Sequence, residues 1–586
     1  MPSLPRRLRL VPWLLWLPAC APEGARLHKD PGSADDSAED TSPRDTTGDT
    51  SRDSPGDSAI EVVPGAPDPS DAVFDPSVVH EIVLEMDPSA WIDVRDNPWA
   101  RSWQPARFSF DGEPALEVEI RAFGAGSMVA GKPSLKIDLD RRVPGQSWRG
   151  LDELKLDNSA QDRGFLNEFT ASAILRAMGV PAARTGWADL TVNGAHAGFF
   201  VLLEPIDDEF VERWYGHDDG HLYSTNEHYW GQGLNPIAGD PALWYAAQTA
   251  TGGDATDVAA LAALVASGSD DDLLASLDVE GFFRESVTRS VLGSLDAFSA
   301  DANNFYLYED HGLWRLIPWD FDADLGYPWY FDRALGVDLR QPHLSSPWAY
   351  NCVSGVAYAD PVLRRALDMG LAPEPILEEL LAGPLAWTAL EARIADAAAL
   401  IRPHVEADVL GYGPYFTTRQ ADLRLFLHAR LTALTGAEIV PCEEIGEGAR
   451  VAADLAPTGS VGWGSLMVDG TNWGPGFVVN GKAACRGLFA HAPSAVTLSI
   501  PDGYGFLSGK VGLQDWNRQG RCDNGSSFSI QQEGATLWSS GLLLSYTDAL
   551  PFGPVEVRPG PLLLKTDTNG DYACDTTAWL DLVLTP

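Results

Sequence analysis

Two lysines and a set of carboxylates and amides in this 586-residue chain are of the types that handle phosphate groups. Lys132 and Lys136 stand in GKPSLKID, and Asp296, Asn303, Asn304, Asp320 and Asp322 fall within LDAFSADANNFYLYEDHGLWRLIPWDFD. Moving a γ-phosphoryl group needs cations against the phosphates, a base or orienter for the acceptor oxygen, and oxygen ligands for Mg²⁺. A few convergent Asp and Asn side chains suffice for that ion, because phosphate and water complete its shell. The order of parts along the chain fits: a Gly-containing loop, a Lys-bearing strand, a helix with an acidic residue, a hairpin, helices, then a polar loop and a hairpin ending in WDFD.

The elements that position these residues are legible. HEIVLEM is a strand, followed by a helix start at Pro-Ser, and RFSFDG and ALEVEIRAFG are alternating runs split by a turn. After AGSMVAGKPS, the run LKIDLD places Leu135, Ile137 and Leu139 on one face. DRGFLNEFTASAILRAMGV reads as an amphipathic helix stopping at Gly179. WADLTVNGAHAGFFVLLEPI is a hairpin turning at Asn193-Gly194. Helical patterns dominate residues 254–297, NFYLYED and LWRLIPWDFD form another hairpin, and helices run to about Thr435. Asp207, Asp208 and Glu209 read as a solvated helix start placed well for the helix dipole.

Four stretches in sequence resemble the CotH family, the spore-coat-protein-H type of atypical protein kinases. They are residues 121–138 (RAFGAGSMVAGKPSLKID), 151–185 (LDELKLDNSAQDRGFLNEFTASAILRAMGVPAART), 192–224 (VNGAHAGFFVLLEPIDDEFVERWYG through HLYS) and 295–326 (LDAFSADANNFYLYEDHGLWRLIPWDFDADLG). The resemblance spans about residues 78–436. It implies an α+β, protein-kinase-like domain that uses ATP and Mg²⁺ to phosphorylate Ser or Thr on exported or surface proteins. Carried over by position, Asp296 is the catalytic carboxylate with Asp301 its competitor, and Asn304, Asp320 and Asp322 are the metal ligands. Lys132 or Lys136 contacts phosphate, Glu168 is the ion-pair partner on the helix, and Glu204 lies at the adenine-side hinge.

The N-terminus reads as an export signal. Arg6, Arg7 and Arg9 precede the short apolar run LVPWLLWLPA, far below the roughly 20 residues of a membrane span. Leu17-Pro18-Ala19-Cys20 looks like a lipoprotein cleavage box with Cys20 the lipidated residue, so lipid is the expected membrane anchor. Residues 21–75 are rich in Asp, Ser, Thr, Pro and Gly and are expected to be a disordered acidic tether. A formal charge of −42 makes nucleic acid a poor partner. Of six cysteines, Cys442, Cys485, Cys522 and Cys574 cluster near the C-terminus, and in an exported protein they are expected to form disulfides, with three connectivities open.

From residue 452 onward, short strands and Gly-rich turns predict a small all-β sandwich. RGLFAHAPS, VGLQD and the terminal acidic-x-x-Ala-Trp run at residues 575–579 resemble the NPCBM type of carbohydrate-binding-like domain, which implies glycan binding. Trp463, Trp473 and Trp516 are candidate stacking residues, and His491 reads as a buried structural histidine. Asp567, Asn569 and Asp571 alternate as oxygen ligands of a Ca²⁺ loop do, without the full pattern. The expected layout is thus signal peptide 1–20, tether 21–75, kinase-like domain 76–440 and sandwich 441–586. Its expected function is a surface protein kinase. The alternative is a non-catalytic coat or surface scaffold that keeps the fold and binds glycan.

Overall fold

The computed structural model describes residues 68–586, apart from 227–228, 250–254, 327–330, 437–447, 472–473, 476, 480–481, 485, 515–524, 545–546 and 571–574. The expected signal and lipidation box at Cys20 lie outside the described residues. Among the described residues, no helix is long and apolar enough to cross a membrane.

Seven strands close into a barrel: β1 His80–Met86, β2 Gln104–Phe110, β3 Leu116–Phe123, β4 Ser134–Asp138, β5 Glu153–Asp157, β6 Thr185–Val192 and β7 Ala195–Leu203. Their spatial order is β1-β2-β3-β4-β5-β7-β6, with only the closing pair β1 and β6 parallel. Alternation drives the closure, because one face of each strand must leave water. Ile82, Leu84, Val118, Ile120, Ile137, Leu154, Leu156, Leu190 and Leu202 are buried in one cluster, each worth about 1.5–3 kcal/mol of transfer free energy. Asn193 and Gly194 both take positive φ at the β6–β7 turn, as a two-residue primed turn requires.

Helix α1 (Pro88–Asp96) starts on the Asp87 carboxylate, which accepts the Ser89 amide. Between β5 and β6 lies α2 (Asn167–Ala177), and after β7 comes α3 (Asp208–Tyr215). A second sheet orders β11 (Leu313–Pro318), β10 (Phe305–Asp310), β8 (His221–Thr225) and β9 (Tyr245–Ala247). The remaining helices are α4 Thr256–Ser267, α5 Asp270–Ser276, α6 Val279–Val291, α7 Phe298–Asp301, α8 Phe331–Leu335, α9 Pro361–Asp368, α10 Pro373–Ala382, α11 Trp387–Glu406 and α12 Gly413–Thr435. Ile174 of α2, Val287 of α6, Ile401 of α11 and Phe426 of α12 belong to one core, so α2 joins barrel to helices.

Two expectations need correction. The tether was drawn to residue 75, yet Ser70, Val73 and Phe74 are buried. The cause is Arg184, itself buried, whose guanidinium donates to Asp68 (3.1 Å), Asp71 (2.6 Å) and Ser70 Oγ (2.7 Å). The second concerns Lys132. Its Nζ lies 2.8 Å from Asp408 Oδ2 with neither side chain exposed, and it also donates to the Asn158 carbonyl at 3.2 Å. The same Asp408 oxygen accepts the Phe199 amide at 2.9 Å. Gly198, at φ +138, leaves room for this pair, since a Cβ there would stand 2.7 Å from Lys132 Cε. Asp408, after α11, thus holds both β7 and the segment before β4, and Lys132 is not free to meet a phosphate.

Beyond residue 450 two antiparallel sheets face one another. One orders Met467–Val468, Gly487–Phe489, Thr577–Thr585, Phe506–Leu513 and Leu550–Glu556, with Arg450–Val451 added beside Thr577–Thr585. The other orders Thr458–Ser460, Ser494–Ile500, Gly560–Thr568, Ser526–Gln532 and Ala535–Leu543. Trp579 is fully buried, with Phe528 edge-on at 5.3 Å and Phe552 at 6.1 Å between centroids. The α+β domain followed by an all-β sandwich agrees with the sequence reading. Cys352 is disulfide-bonded. Cys442, Cys485, Cys522 and Cys574 lie outside the described residues.

Lys132→Ala leaves the Asp408 carboxylate buried without its counter-ion. It should lower unfolding free energy by about 3–5 kcal/mol, measured by urea denaturation. A loss below about 1 kcal/mol would mean that the pair does not fasten the barrel to the helices.

Candidate active site

The site is assembled by the register of one hairpin. Phe305 of β10 pairs with Pro318 of β11, so the residues just outside the strands, Asn303-Asn304 and Trp319-Asp320, are brought side by side. The Trp319 amide donates to the Asn304 carbonyl at 2.9 Å. Asn304 and Asp320 both sit at φ +55, a left-handed conformation uncommon outside glycine and often found where function dictates the backbone.

Asp296 enters from the loop after α6. Its Oδ1 accepts from Asn303 Nδ2 at 2.8 Å, and its backbone carbonyl accepts from Asn304 Nδ2 at 3.1 Å. Asp296 is half-buried, whereas its competitor Asp301 is 1% exposed. Burial and the neighbouring Asp296 carboxylate push the Asp301 carboxyl well above the usual range. Asp301 is thus buried behind Asp296 and does not reach a substrate.

The loop 319–324 is braced from below by one guanidinium. Arg289 of α6 donates to the carbonyls of Trp319 (3.1 Å) and Asp320 (3.0 Å). It also holds Asp324 through Nε (3.1 Å) and Nη2 (2.8 Å), and neither side chain of that pair is exposed. Asn167 of α2 donates to the carbonyls of Asp322 and Asp324, both at 3.0 Å. Glu168, one residue on, accepts the Phe321 amide at 2.6 Å. The expected lysine partner of Glu168 is replaced by this bond, since Lys132 pairs with Asp408 and Lys136 with Glu153.

Acidic groups accumulate here. Burial pushes Asp320 up to about 6, with Asp296 and Asp157 adding to the effect. Burial, Asp320 and Asp157 hold Asp322 well above its ordinary value. Burial and Asp320 do the same for Glu168. Asp157, at the end of β5, accepts from Ser134 Oγ (3.0 Å) and the Ser159 amide (2.7 Å). Crowded oxygen donors that raise one another's proton affinity are the donor set a hard divalent cation relieves. Asp320, Asp322 and the Asn304 amide therefore fit Mg²⁺ chemically.

Lys136 and Lys155 face each other across β4 and β5 and share Glu153, which Lys155 approaches to 3.4 Å. Lys155 also lies 4.9 Å from the Trp319 ring, which brings the lysine pair next to the WDFD loop. Glu204 is committed elsewhere: it accepts Arg184 Nη2 at 2.7 Å and Arg213 through Nε (2.9 Å) and Nη2 (2.6 Å). That corrects its expected adenine-side role, because two guanidiniums saturate the carboxylate. Asp207, Asp208 and Glu209 start α3 as expected, with Asp207 accepting the Phe210 amide at 3.1 Å, but they are half-buried rather than solvated. Donor oxygens of Asp152, Asp207 and Glu209 lie within 4.8 Å of one another, and burial raises Glu209 to about 8 and Asp152 to about 6.

Sequence reasoning missed Lys155, Asp157, Asn167, Arg289 and Asp324. Lys155 and Asp157 alternate in LKLD, which marks one face of a strand. Arg289 carried a weaker signal, a charged residue in a helix whose buried set includes both faces.

In the sandwich, Trp463 is 50% exposed and lies edge-on to His491 at 5.9 Å. His491 is buried and bonded through Nδ1 to the Ala492 carbonyl at 2.8 Å, as expected. Trp473 and Trp516 lie outside the described residues, as does Asp571 of the proposed Ca²⁺ loop. Asp567 of that loop pairs with Lys565 at 2.8 Å.

Residues 120–433 match the family model described as CotH kinase protein, and residues 450–585 match the NPCBM/NEW2 domain. The first match covers more than half of the chain, which therefore belongs to the CotH kinase family. Among solved structures, a two-module CBM51-2 and INT fragment of Clostridium perfringens ZmpB in complex with GlcNAc is 17% identical, with 23% of this chain and 31% of that one covered, TM-score 0.22. The CBM51 of Clostridium perfringens GH95 in complex with methyl-galactose is 22% identical over 23% of this chain and 99% of its own, TM-score 0.21. The Helicobacter pylori proinflammatory kinase CtkA is 13% identical over 48% of this chain and 92% of its own, TM-score 0.22. The chain thus spans about a third of the first of these. No curated protein matches.

Behind the site, Glu285 of α6 is buried and held at about 8, chiefly by burial, and Asp360 at the start of α9 at about 7 for the same reason. Unfolded, these carboxyls ionise near their ordinary values of 4.5 and 3.8. The folded state then binds more protons than the unfolded one between those limits, so stability must fall as pH rises from about 4 to about 8. Thermal unfolding should show a lower midpoint at pH 8 than at pH 5, and Glu285→Gln should lessen that drop. An unchanged slope in the variant would remove Glu285 from the account.

Proposed function

We propose that this CotH family member is an ATP- and Mg²⁺-dependent protein kinase that phosphorylates Ser or Thr on exported proteins, tethered to the cell envelope by lipid at Cys20. The observation behind it is the hairpin register that sets Asp296, Asn304 and Asp320 around one point, with a lysine pair beside them.

In this reading Asp320, Asp322 and Asn304 hold Mg²⁺, which would neutralise charge on the β- and γ-phosphates. Lys136 and Lys155 meet the phosphate oxygens from the barrel side. Asp296, oriented by Asn303, accepts the proton of the acceptor hydroxyl as its oxygen bonds to the γ-phosphorus. The bond from that phosphorus to the β,γ-bridging oxygen breaks, and ADP leaves with the electron pair. Asp301 stays buried behind Asp296 and takes no part in the transfer. The C-terminal sandwich, matching an NPCBM/NEW2 domain, holds the kinase near a glycan, with the exposed Trp463 as a stacking surface.

Calorimetry of the full chain should show Mg²⁺-dependent ATP binding that Asp320→Ala abolishes. Asp296→Asn should retain binding while phosphate transfer falls by about 10²–10⁴-fold, and Asp301→Asn should retain transfer within about tenfold. Nucleotide binding with no transfer to any acceptor would favour the scaffold alternative, and no nucleotide binding would overturn the kinase reading. On a glycan array, Trp463→Ala should weaken binding at least tenfold. An unchanged profile would place sugar recognition elsewhere.

A further inference from the structure

A second constellation lies at the opposite end of the same hairpin. The β10–β11 turn is His311-Gly312, both at positive φ, and it faces the loop that follows α3. One donor atom each from His217, Asp310 and His311 lies within 4.8 Å of the others. His217 Nε2 is 3.0 Å from Asp310 Oδ1, and His217 Nδ1 is 3.1 Å from Asp219 Oδ1. His311 Nε2 is 3.0 Å from that same Asp219 oxygen, and the two imidazole centroids are 4.4 Å apart.

The pairing is mismatched for hydrogen bonding alone. An ionised carboxylate only accepts, while a neutral imidazole has one donor and one acceptor nitrogen. His217 has a carboxylate against each nitrogen, Asp310 at Nε2 and Asp219 at Nδ1, where the Tyr308 hydroxyl also lies at 3.3 Å. A neutral ring therefore donates to only one of the two carboxylates and sets a lone pair against the other. A cation at that lone pair resolves the mismatch and leaves Asp219 bonded to the far nitrogen, the arrangement by which metal-ligating histidines are oriented. Asp310 is already oriented: Arg315 Nε holds its Oδ2 at 2.8 Å, and Arg315 Nη1 is anchored on Asp278 at 3.1 Å. That leaves Oδ1 toward His217. The 3.0 Å separation of His217 Nε2 and Asp310 Oδ1 is close to the edge of a zinc tetrahedron, roughly 3.3 Å for bonds of about 2.0–2.1 Å.

We propose that His217, Asp310 and His311, supported by Asp219, bind a zinc-class divalent cation that clips the loop after α3 to the tip of the β10–β11 hairpin. Two imidazoles and a carboxylate select Zn²⁺ over Mg²⁺, which takes oxygen ligands. The site is separate from the acidic group around Asp320.

The full-length protein, stripped with chelator, is titrated with Zn²⁺ against a chromophoric competitor, and with Co²⁺ as a spectroscopic stand-in. The expected result is one tight equivalent of Zn²⁺ and tetrahedral Co²⁺ absorption. In a His217→Gln, His311→Gln double variant the affinity should fall at least tenfold and the Co²⁺ bands should vanish. His311→Gln alone, at an exposed turn, serves where the double variant fails to fold and should show the same loss in smaller measure. Asp320→Ala should bind Zn²⁺ as the parent does. Equal zinc affinity in parent and histidine variants overturns the proposal, and so does loss of the tight equivalent in Asp320→Ala.

Discussion

The buried guanidinium of Arg289 is the constraint on which the candidate active site depends. A cation without solvent must be met by acceptors, and this one finds both oxygens of Asp324 and two carbonyls of the same loop. Its carbon also lies 4.9 Å from the centre of the Phe321 ring, so one side chain of α6 meets Trp319, Asp320, Phe321 and Asp324. Breaking such a pair strands a buried charge, which makes the loop's shape part of the helical core. Asp320 can then hold its positive φ because the surrounding structure over-determines it.

A second constraint follows from charge. Asp157, Glu168, Asp296, Asp320, Asp322 and Asp324 influence one another, and only Asp324 has a buried cation in direct contact. Lys132, one of the two lysines expected to meet phosphate, spends its charge on Asp408. The site thus holds an excess of oxygen donors next to the Lys136–Glu153–Lys155 group. A phosphate ester bridging the two, with a divalent ion on the acidic side, would balance both. Under the proposed function, binding of each charged partner would favour the other, since neither half is electrostatically satisfied alone.

Much of this was legible in the sequence. Alternating runs located β2, β3 and β4, Asn193-Gly194 located the β6–β7 turn, and WDFD after a hairpin located the acidic loop, while β5 was not read as a strand. What escaped depends on long-range pairing. Nothing local distinguishes Lys132, which is buried against a residue 276 positions away, from Lys136 four positions on. Glu204 looked free because Arg184 and Arg213 reach it only after β6, β7 and α3 have packed. Composition also overextended the tether, because Asp68 and Asp71 resemble their disordered-looking neighbours until Arg184 is placed beside them.

The β10–β11 hairpin has chemistry at both ends, and its geometry decides how they relate. Six residues of strand at about 3.4 Å each separate the turn from the Asn304 end by roughly 20 Å. A cation at the proposed His217–His311 site would be too far away to touch a phosphate held at Asp320 and would act only through the backbone. Its effect falls on the hairpin's freedom to open, because register fixed at the turn is the same register that pairs Phe305 with Pro318. If the turn end is pinned, the pairing that sets Asn304 beside Trp319 is lost only by unzipping from the Asn304 end. That end is where the strained residues Asn304 and Asp320 sit. The two sites are thus linked by a shared ladder, and pinning one end limits how far the other can relax.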